Sequence, residues 1–537
     1  MRHWHSILRG LFQTVLVAAC ALGVHGCASP EDVKAKVDRD VYRSIDRHWK
    51  EEFGPKANYR VSDVEPSSED VRADQALPCQ LGTLTLAQAV ALATGRNRDY
   101  QAQRELLYTS ALNLRLTRHQ FERQFFGLGS ASYREAGDDE AISAEASTGF
   151  NRLLADGTLV SLNLASAWVD VLSGTGVGGL ASVLSASAVK PLMRGSGRDV
   201  VMEVLTQADR DLLYEVRTFN HFRKALVVSV ISDYYATLVF QAYVRNARAN
   251  QQAIADLLQL ALSLVEGARI PTYEVDRIRQ ELLQAEQETV EAQRDYEEFL
   301  DLFKLKLGVP PSLEFTLDRS ALASLDASPL APLNATEKEA LDTALARRLD
   351  LANTADRVVD AQRKVSVAKD RLRADLNLLT STRNVSGEQE IGTQTLVVTD
   401  KEYSVGLQAG LPLDRLLEEN EYRAALLTVG QQRRQYDLTA DTIAAEVRMS
   451  YRKAREAAER YRISKEGLAL AQERVRNTLL LLRNGRANTR RVLDAQEALC
   501  NAQNESIDAL ADYATATLEF YRDTGVLQVR PDGMWEL

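Results

Sequence analysis

The chain has 537 residues, 45% of them apolar and 26% charged, with a formal net charge of −10. That composition excludes disorder and collagen-like order, and the acidic balance excludes a general nucleic-acid binder, which needs a basic face against phosphate. Only 12 prolines punctuate it: neither proline nor glycine occurs between Arg198 and Glu266, and no proline between Leu413 and Arg530. Ordinary globular domains turn far more often.

The chain begins with the marks of export. Arg2 and Arg9 precede an uncharged apolar stretch from Leu11 to Val24. It is short of the about 20 residues a membrane-spanning helix takes, and it suits the apolar region of a signal peptide. It ends in Val24-His25-Gly26-Cys27 and then turns polar, which resembles a bacterial lipobox, so Cys27 is the expected lipid-bearing first residue of the mature chain. Val17-Ala18-Ala19-Cys20 is a better local match, but the Ala-Leu-Gly-Val after it continues the apolar region. A plain cleaved signal or an uncleaved anchor is the alternative. Residues 28–83, polar and proline-bearing, read as a tether and arm. Cys79 and Cys500 alone make no disulfide framework. No later uncharged apolar run approaches the about 18 residues of a spanning helix.

The body reads as an internal repeat. Ala89, Ala93, Arg96 and Asp99 recur at an offset of 251 as Ala340, Ala344, Arg347 and Asp350. Eight residues from Val275 to Val309 recur at an offset of 217, from Val492 to Val526, ending in the same Gly-Val stop. Pro191-Leu192 with Arg194 recurs as Pro412-Leu413 with Arg415. This predicts a first structural repeat over 84–310, a connector over 311–335, a second repeat over 336–530 and a tail over 531–537.

Periodicity types the parts. Val275, Ile278, Leu282, Ala285, Thr289, Ala292, Tyr296, Phe299 and Phe303 follow an unbroken 3-4 spacing, as do Val492 through Phe520. A heptad seam of this kind packs a helix along its length against a partner. Long helices are predicted over 198–266 and 413–484, the second with Gly430 and Gly467 as candidate bends. Short breaks at Gly267 to Pro271 and at Asn484-Gly485 turn them back into the heptad helices 272–308 and 488–524 as helical hairpins.

Earlier in each half the period falls to two. Tyr403, Val405, Leu407, Ala409 and Leu411 alternate with Ser404, Gly406, Gln408 and Gly410; Val160, Leu162 and Leu164 alternate with Ser161, Asn163 and Ala165. Such alternation suits a barrel wall between lipid and water, or the core-facing strands of a soluble sandwich. The export signal favours the barrel. Strands are predicted around 126–133, 144–150, 159–168, 183–189, 376–383 and 403–411. Four to eight strands per chain are at or below the about eight a closed membrane barrel needs, so several copies are expected to share one.

The ordered set LTLAQAVALATGRNRDY, KPLMRGSGRDV, YSVGLQAGLPLDR and RNGRANTRRVLDAQEAL, with the lipobox, resembles the TolC-like outer membrane efflux proteins over about residues 84 to 530. The resemblance implies an α+β membrane protein: antiparallel coiled-coil hairpins forming a periplasmic tube, with strands contributed to a shared trimeric outer-membrane β-barrel. It also implies a homotrimer lodged in outer-membrane lipid, working with a periplasmic adaptor and an inner-membrane transporter of the RND or ABC type. The role implied is the exit duct of an efflux pump or a type I secretion system. Ala141 to Trp168 holds more β-patterned residues than one strand pair needs, which reads as an extra hairpin at the outer surface.

No enzyme is read here, and no cofactor or metal. The six histidines have no metal-ligand spacing. Gly174-Thr-Gly-Val-Gly-Gly has the letters of a dinucleotide loop but opens no helix, so it reads as a surface loop. The candidate gate and adaptor-docking residues are at the hairpin tips: Gly267 and Pro271 in the first, Gly485, Arg486, Arg490, Arg491 and Asp494 in the second. In the family an aspartate lines the constriction at the position Asp494 matches. Where a second acid stands in well-known members, this chain has Arg491, and with Arg483, Arg486 and Arg490 the tip is basic. Those arginines are expected either to pair with carboxylates of neighbouring subunits or the adaptor, or to be solvated charges. The competing function is a structural coiled-coil spacer of the envelope.

Overall fold

A computed structural model of the chain describes residues 29–56, 59–61, 82–136, 139–173, 178–267, 269–327, 335–391, 394–530 and 535–536. The signal segment, with Cys20 and Cys27, and also Cys79, lie outside the described residues. The elements run α1 (Pro30–His48), β1 (Thr83–Leu84), α2 (Leu86–Arg96), α3 (Arg98–His119), β2 (Gln124–Ala136), β3 (Asp139–Leu153), β4 (Leu159–Ser173), β5 (Gly179–Pro191), α4 (Arg198–Val201), α5 (Glu203–Glu266) and α6 (Tyr273–Leu307). They continue as β6 (Thr316–Leu317), α7 (Ser320–Ala327), α8 (Glu337–Arg347), α9 (Leu349–Arg371), β7 (Asp375–Ile391), β8 (Gln394–Gly410), α10 (Leu416–Arg483), α11 (Thr489–Asp523), β9 (Gln528–Val529) and β10 (Trp535–Glu536).

The repetition is visible down to the caps. Helices α2 and α8 are each 11 residues long and open with a capping box, Thr85 with Gln88 and Thr336 with Glu339, which satisfies two orphan donors reciprocally at each start. Helices α6 and α11 are each 35 residues, and α5 and α10 are 64 and 68. The predicted helix from Arg198 is interrupted at Met202, between α4 and α5. Helix α10 continues through Gly430 and Gly467, because an isolated glycine weakens a helix without ending it. The heptad seams are buried at Val275, Ile278, Ala285 and Phe303 in α6 and at Val492, Ala495, Ala509, Tyr513 and Phe520 in α11, while Phe299 of the first seam stays exposed.

The main core forms around the first half of α5, where Leu212, Phe219, Val227, Ile231 and Tyr234 pack with Tyr100, Leu107 and Leu114 of α3 and with Val41 and Ile45 of α1. An 18-residue window of α5 is apolar enough to cross a membrane, but 61% of it is buried inside the protein, as a core helix would be.

Six strands form one antiparallel sheet in the order β2-β3-β4-β5-β7-β8. The surplus β-patterned residues of the first half are therefore two full-length strands of the same sheet, not an added hairpin at its outer surface. The register climbs steadily. The hydrogen-bonded row from Gln124 runs through Asn151, Ser161, Ser187 and Ser381 to Ser404. Counted from the helix-side end of each strand, those residues stand 0, 2, 2, 4, 6 and 6 places along. At about 3.3 Å per residue and 4.8 Å between strands, this is a tilt of about 40°, within the range of a barrel wall.

The two faces differ in chemistry. That row is polar throughout, whereas the next row holds Phe125, Phe150, Leu162, Ala186, Thr382 and Tyr403. Among the described residues no apolar side chain of the six strands is buried. A soluble sandwich would bury this face against a second sheet, so the sandwich alternative fails.

Candidate functional site at the hairpin tips

The helix ends farthest from the sheet come together. Helix α10 stops at Arg483, Asn484 follows, and Gly485 adopts the left-handed φ of +68°. The Gly485 N–H donates to the Leu482 carbonyl and the Arg486 N–H to the Leu481 carbonyl, at 2.9 and 2.8 Å. This is the paired termination of a Schellman motif, in which glycine is favoured because it bears no Cβ. Asn488 then starts α11, its side chain accepting from the Arg491 N–H. The first tip is built otherwise. Gly267 keeps an ordinary φ of −81° and closes α5 with a bond to Ser263, so its missing side chain is not what forms the turn. Pro271 is exposed, and its carbonyl accepts from the Glu274 N–H.

The two tips share one small core. Ile254, Leu257, Leu264, Val275 and Ile278 of the first hairpin pack with Leu482, Val492 and Leu493 of the second. At its edge the fully buried Thr489 hydroxyl donates to the carboxylate of Glu274, itself 7% exposed. Arg277 stands 3.6 Å from the same carboxylate. Sequence reading did not find this pair, because only the packing of one hairpin on the other brings positions 215 apart into contact.

Charged residues surround this small apolar core. Arg483, Arg486, Arg490, Arg491 and Asp494 are all exposed, and among the described residues none of the five makes an ion pair. Glu281, Glu288, Asp494 and Glu497 gather nearby: burial, then the charges of Glu497, Glu288 and Asp494, raise the Glu281 carboxyl above its ordinary range. The predicted residues Gly485, Arg486, Arg490, Arg491 and Asp494 thus share one end of the molecule with Gly267 and Pro271. Cys500 is a half-buried free thiol.

A second polar cluster, also unread in the sequence, ties the two repeats together near the sheet. Asp360 of α9 accepts from Tyr214 at 2.5 Å and pairs with Arg210 at 3.2 Å and Arg363 at 2.7 Å; Arg363 also meets Glu203 at 2.9 Å. Burial, then the bond to Asp360, pushes the Tyr214 hydroxyl above its ordinary value. These contacts clamp α9 to the start of α5.

Two long helical hairpins at one end of a duplicated chain and a tilted, two-faced sheet at the other make an architecture that solved outer membrane channels share. Residues 340–526 match the model of the outer membrane efflux protein family. That match covers about a third of the chain, and the resemblance read from its motifs is borne out. Solved structures share the fold: CusC, at 13% identity, over 82% of this chain and 92% of that one with a TM-score of 0.59. The open-state MtrE outer membrane channel of Neisseria gonorrhoeae follows at 13% identity over 82% and 88%, TM-score 0.58. The CmeC outer membrane channel of Campylobacter jejuni aligns at 13% identity over 82% and 85%, TM-score 0.57. No curated protein matches the chain. The matched family is one of outer membrane efflux proteins, not of enzymes.

Proposed function

We propose that the chain is the outer-membrane exit duct of a tripartite efflux or type I secretion system. It passively conducts substrate from a periplasmic pump complex to the exterior. Three copies share the barrel and the helical tube, the hairpin tips meet a periplasmic adaptor, and an inner-membrane transporter of the RND or ABC type supplies the energy. Cys27 carries the lipid anchor after removal of residues 1–26, residues 28–83 tether it to the tube, and the two repeats meet at the connector over 311–335. The observation that carries this reading is the two-faced sheet, polar on one side and apolar on the other with neither covered. A structural spacer has no need of a hydrated face. Helix α10 adds support: Leu427, Leu438 and Met449 stand exposed at 11-residue intervals, as do Leu470 and Leu481 further along, apolar positions for packing against a neighbouring helix.

On this reading the tip arginines form the pump-side contact or gate. The test is complementation of a deletion strain, together with conductance of the purified protein in planar bilayers. Loss of the gene slows export and the wild-type chain restores it; Arg490→Ala with Arg491→Ala changes conductance, complementation or both. An unchanged double variant sinks the gate assignment, and a wild-type protein without conductance sinks the duct.

A further inference from the structure

The sheet ends in two edges, β2 and β8. Neither can lie open in lipid, where an unpaired row of backbone N–H and C=O groups finds no water. They cannot pair with each other, since the sheet's six strands among the described residues fall below the about eight a closed membrane barrel needs. Strand direction alternates across the sheet, so β2 and β8 run oppositely, and β8 of one copy can meet β2 of another in the same antiparallel pattern. Exposure is also concentrated at these edges. On the apolar face Phe125 of β2 and Tyr403, Val405 and Leu407 of β8 are 69–78% exposed, against 36–43% for Leu162, Leu164 and Leu184 within the sheet.

Resting on the reading of the chain as one of three subunits of a duct, we propose that β8 of each copy pairs with β2 of the next, closing a barrel of eighteen strands, six from each copy. The seam register follows from the climb. Ser404 stands six places up β8, so continuing the stagger on the polar face sets it opposite Ser130 or Ser132 of the neighbour. Within the chain the same face already pairs hydroxyls, Ser132 with Ser143 at 2.8 Å and Ser381 with Ser404 at 2.6 Å. At a tilt of about 40°, eighteen strands give a backbone diameter of about 35 Å and, inside the side chains, a bore of roughly 25 Å. The surplus strand pair of the first repeat thus widens the ring by half over a two-strand contribution from each repeat. The outer end of the duct is then a wide opening of the large-porin class, and size selection falls to the tips.

The test uses the full-length protein with Cys79→Ser and Cys500→Ser, leaving Cys27 in place. Ser404→Cys is combined with Ser130→Cys or with Ser132→Cys, and each single variant is the control. The expected result is a disulfide-linked ladder ending at three copies for at least one double variant and for no single one. Cryo-electron microscopy of the wild-type protein in lipid nanodiscs is expected to count eighteen strands. Protein that fractionates with the outer membrane but shows another strand count, or no inter-copy link at either pair, overturns the seam and leaves the duct reading standing. Failure to reach the outer membrane at all overturns the duct reading itself.

Discussion

Gly308, at the end of α6, lies directly on the carbonyl of Arg96 at the end of α2: a Cβ on Gly308 would stand 2.3 Å from the Arg96 oxygen. The second repeat reproduces the contact loosely, with Gly525 facing Arg347 and its nearest approach 3.2 Å. Both glycines have a φ of +75°. An L-residue there costs about 1 kcal/mol in backbone conformation; at Gly308 a clash with backbone adds about 1–3 kcal/mol. Gly308→Ala is therefore expected to destabilise the protein by about 3 kcal/mol and Gly525→Ala by about 1 kcal/mol. Thermal unfolding followed by circular dichroism ranks them, and an equal loss would contradict the difference in packing.

The Thr489–Glu274 contact ties the two hairpin tips together at a buried point. Replacing Thr489 by Val keeps the shape and removes the donor, leaving the Glu274 carboxylate with Arg277 alone at 3.6 Å. A buried acceptor deprived of its partner costs about 1–3 kcal/mol, spent on holding the tips together. Thr489→Val is expected to raise conductance in planar bilayers and to make the outer membrane leakier to bulky antibiotics, while Thr489→Ser stays near wild type. A Val variant with unchanged conductance would separate this contact from gating.

The repeat, the hairpins and all six strands were legible because each is written in local periodicity. Tyr403, Val405 and Leu407 alternate with Ser404, Gly406 and Gln408 within one strand, and the heptad seam from Val275 to Phe303 lies within one helix. The strands proved longer than their patterned cores, because toward the far end of β7, at Glu388, Gln389 and Glu390, alternation gives way to polar residues that pairing still holds in register. Helix α1 lies in a segment whose composition reads as polar tether, since its stripe is narrow: Val37, Val41 and Ile45 at four-residue spacing, in an otherwise charged segment. The tips were legible as positions but not as a joined pair. Glu274 and Thr489 meet only once two hairpins pack, and no local pattern records that. The Asp360 cluster was hidden for the same reason, being built from residues of both repeats.

Docking of α1 is expected to depend on pH. His48 donates from Nδ1 to the Ser44 carbonyl at 2.8 Å, and its Nε2 stands 3.1 Å from Asp209, which also pairs with Arg118 at 3.0 Å. The bond to Asp209 foremost, with the Ser44 carbonyl adding and burial opposing, holds the imidazole above its ordinary 6.5. The bond to His48, with Arg118 adding, holds the Asp209 carboxyl below 3.8. A raised histidine contributes its stability fully below about pH 6.5 and loses it as pH rises through the folded value. A lowered aspartate contributes above 3.8 and loses it as pH falls through its own folded value. The latch is therefore strongest between about pH 4 and 6.5 and weakens toward pH 8. Hydrogen exchange over residues 30–48, corrected for intrinsic rate, should be faster at pH 8 than at pH 6, and His48→Gln should flatten that difference. An identical profile in the variant would remove His48 as its cause.

The surplus strands are fixed at one turn. Between β3 and β4, Gly157 has a φ of +91°, and a Cβ on it would fall 2.6 Å from the Gly195 carbonyl oxygen and 2.8 Å from Pro191 Cγ. Beside it the Asp156 carbonyl accepts from the Gly197 N–H at 3.4 Å, and the Asp156 carboxylate accepts from the Thr158 N–H at 3.0 Å and faces Lys190 at 3.6 Å. The turn is thus wedged against the junction where β5 leaves the sheet for α4. Gly195 offers an internal comparison: its φ is +74°, but nothing lies within 4 Å of its Cβ position. Gly195→Ala is expected to cost only the backbone term of about 1 kcal/mol. Gly157→Ala adds the clash and is expected to cost about 3 kcal/mol in all, concentrated where the extra strand pair meets the helices. Since the helical core around α5 packs elsewhere, Gly157→Ala should keep most of its far-ultraviolet helical signal while losing the heat-resistant oligomer on semi-native gels. An oligomer as heat-resistant as that of Gly195→Ala would show that the strand pair is held without this wedge.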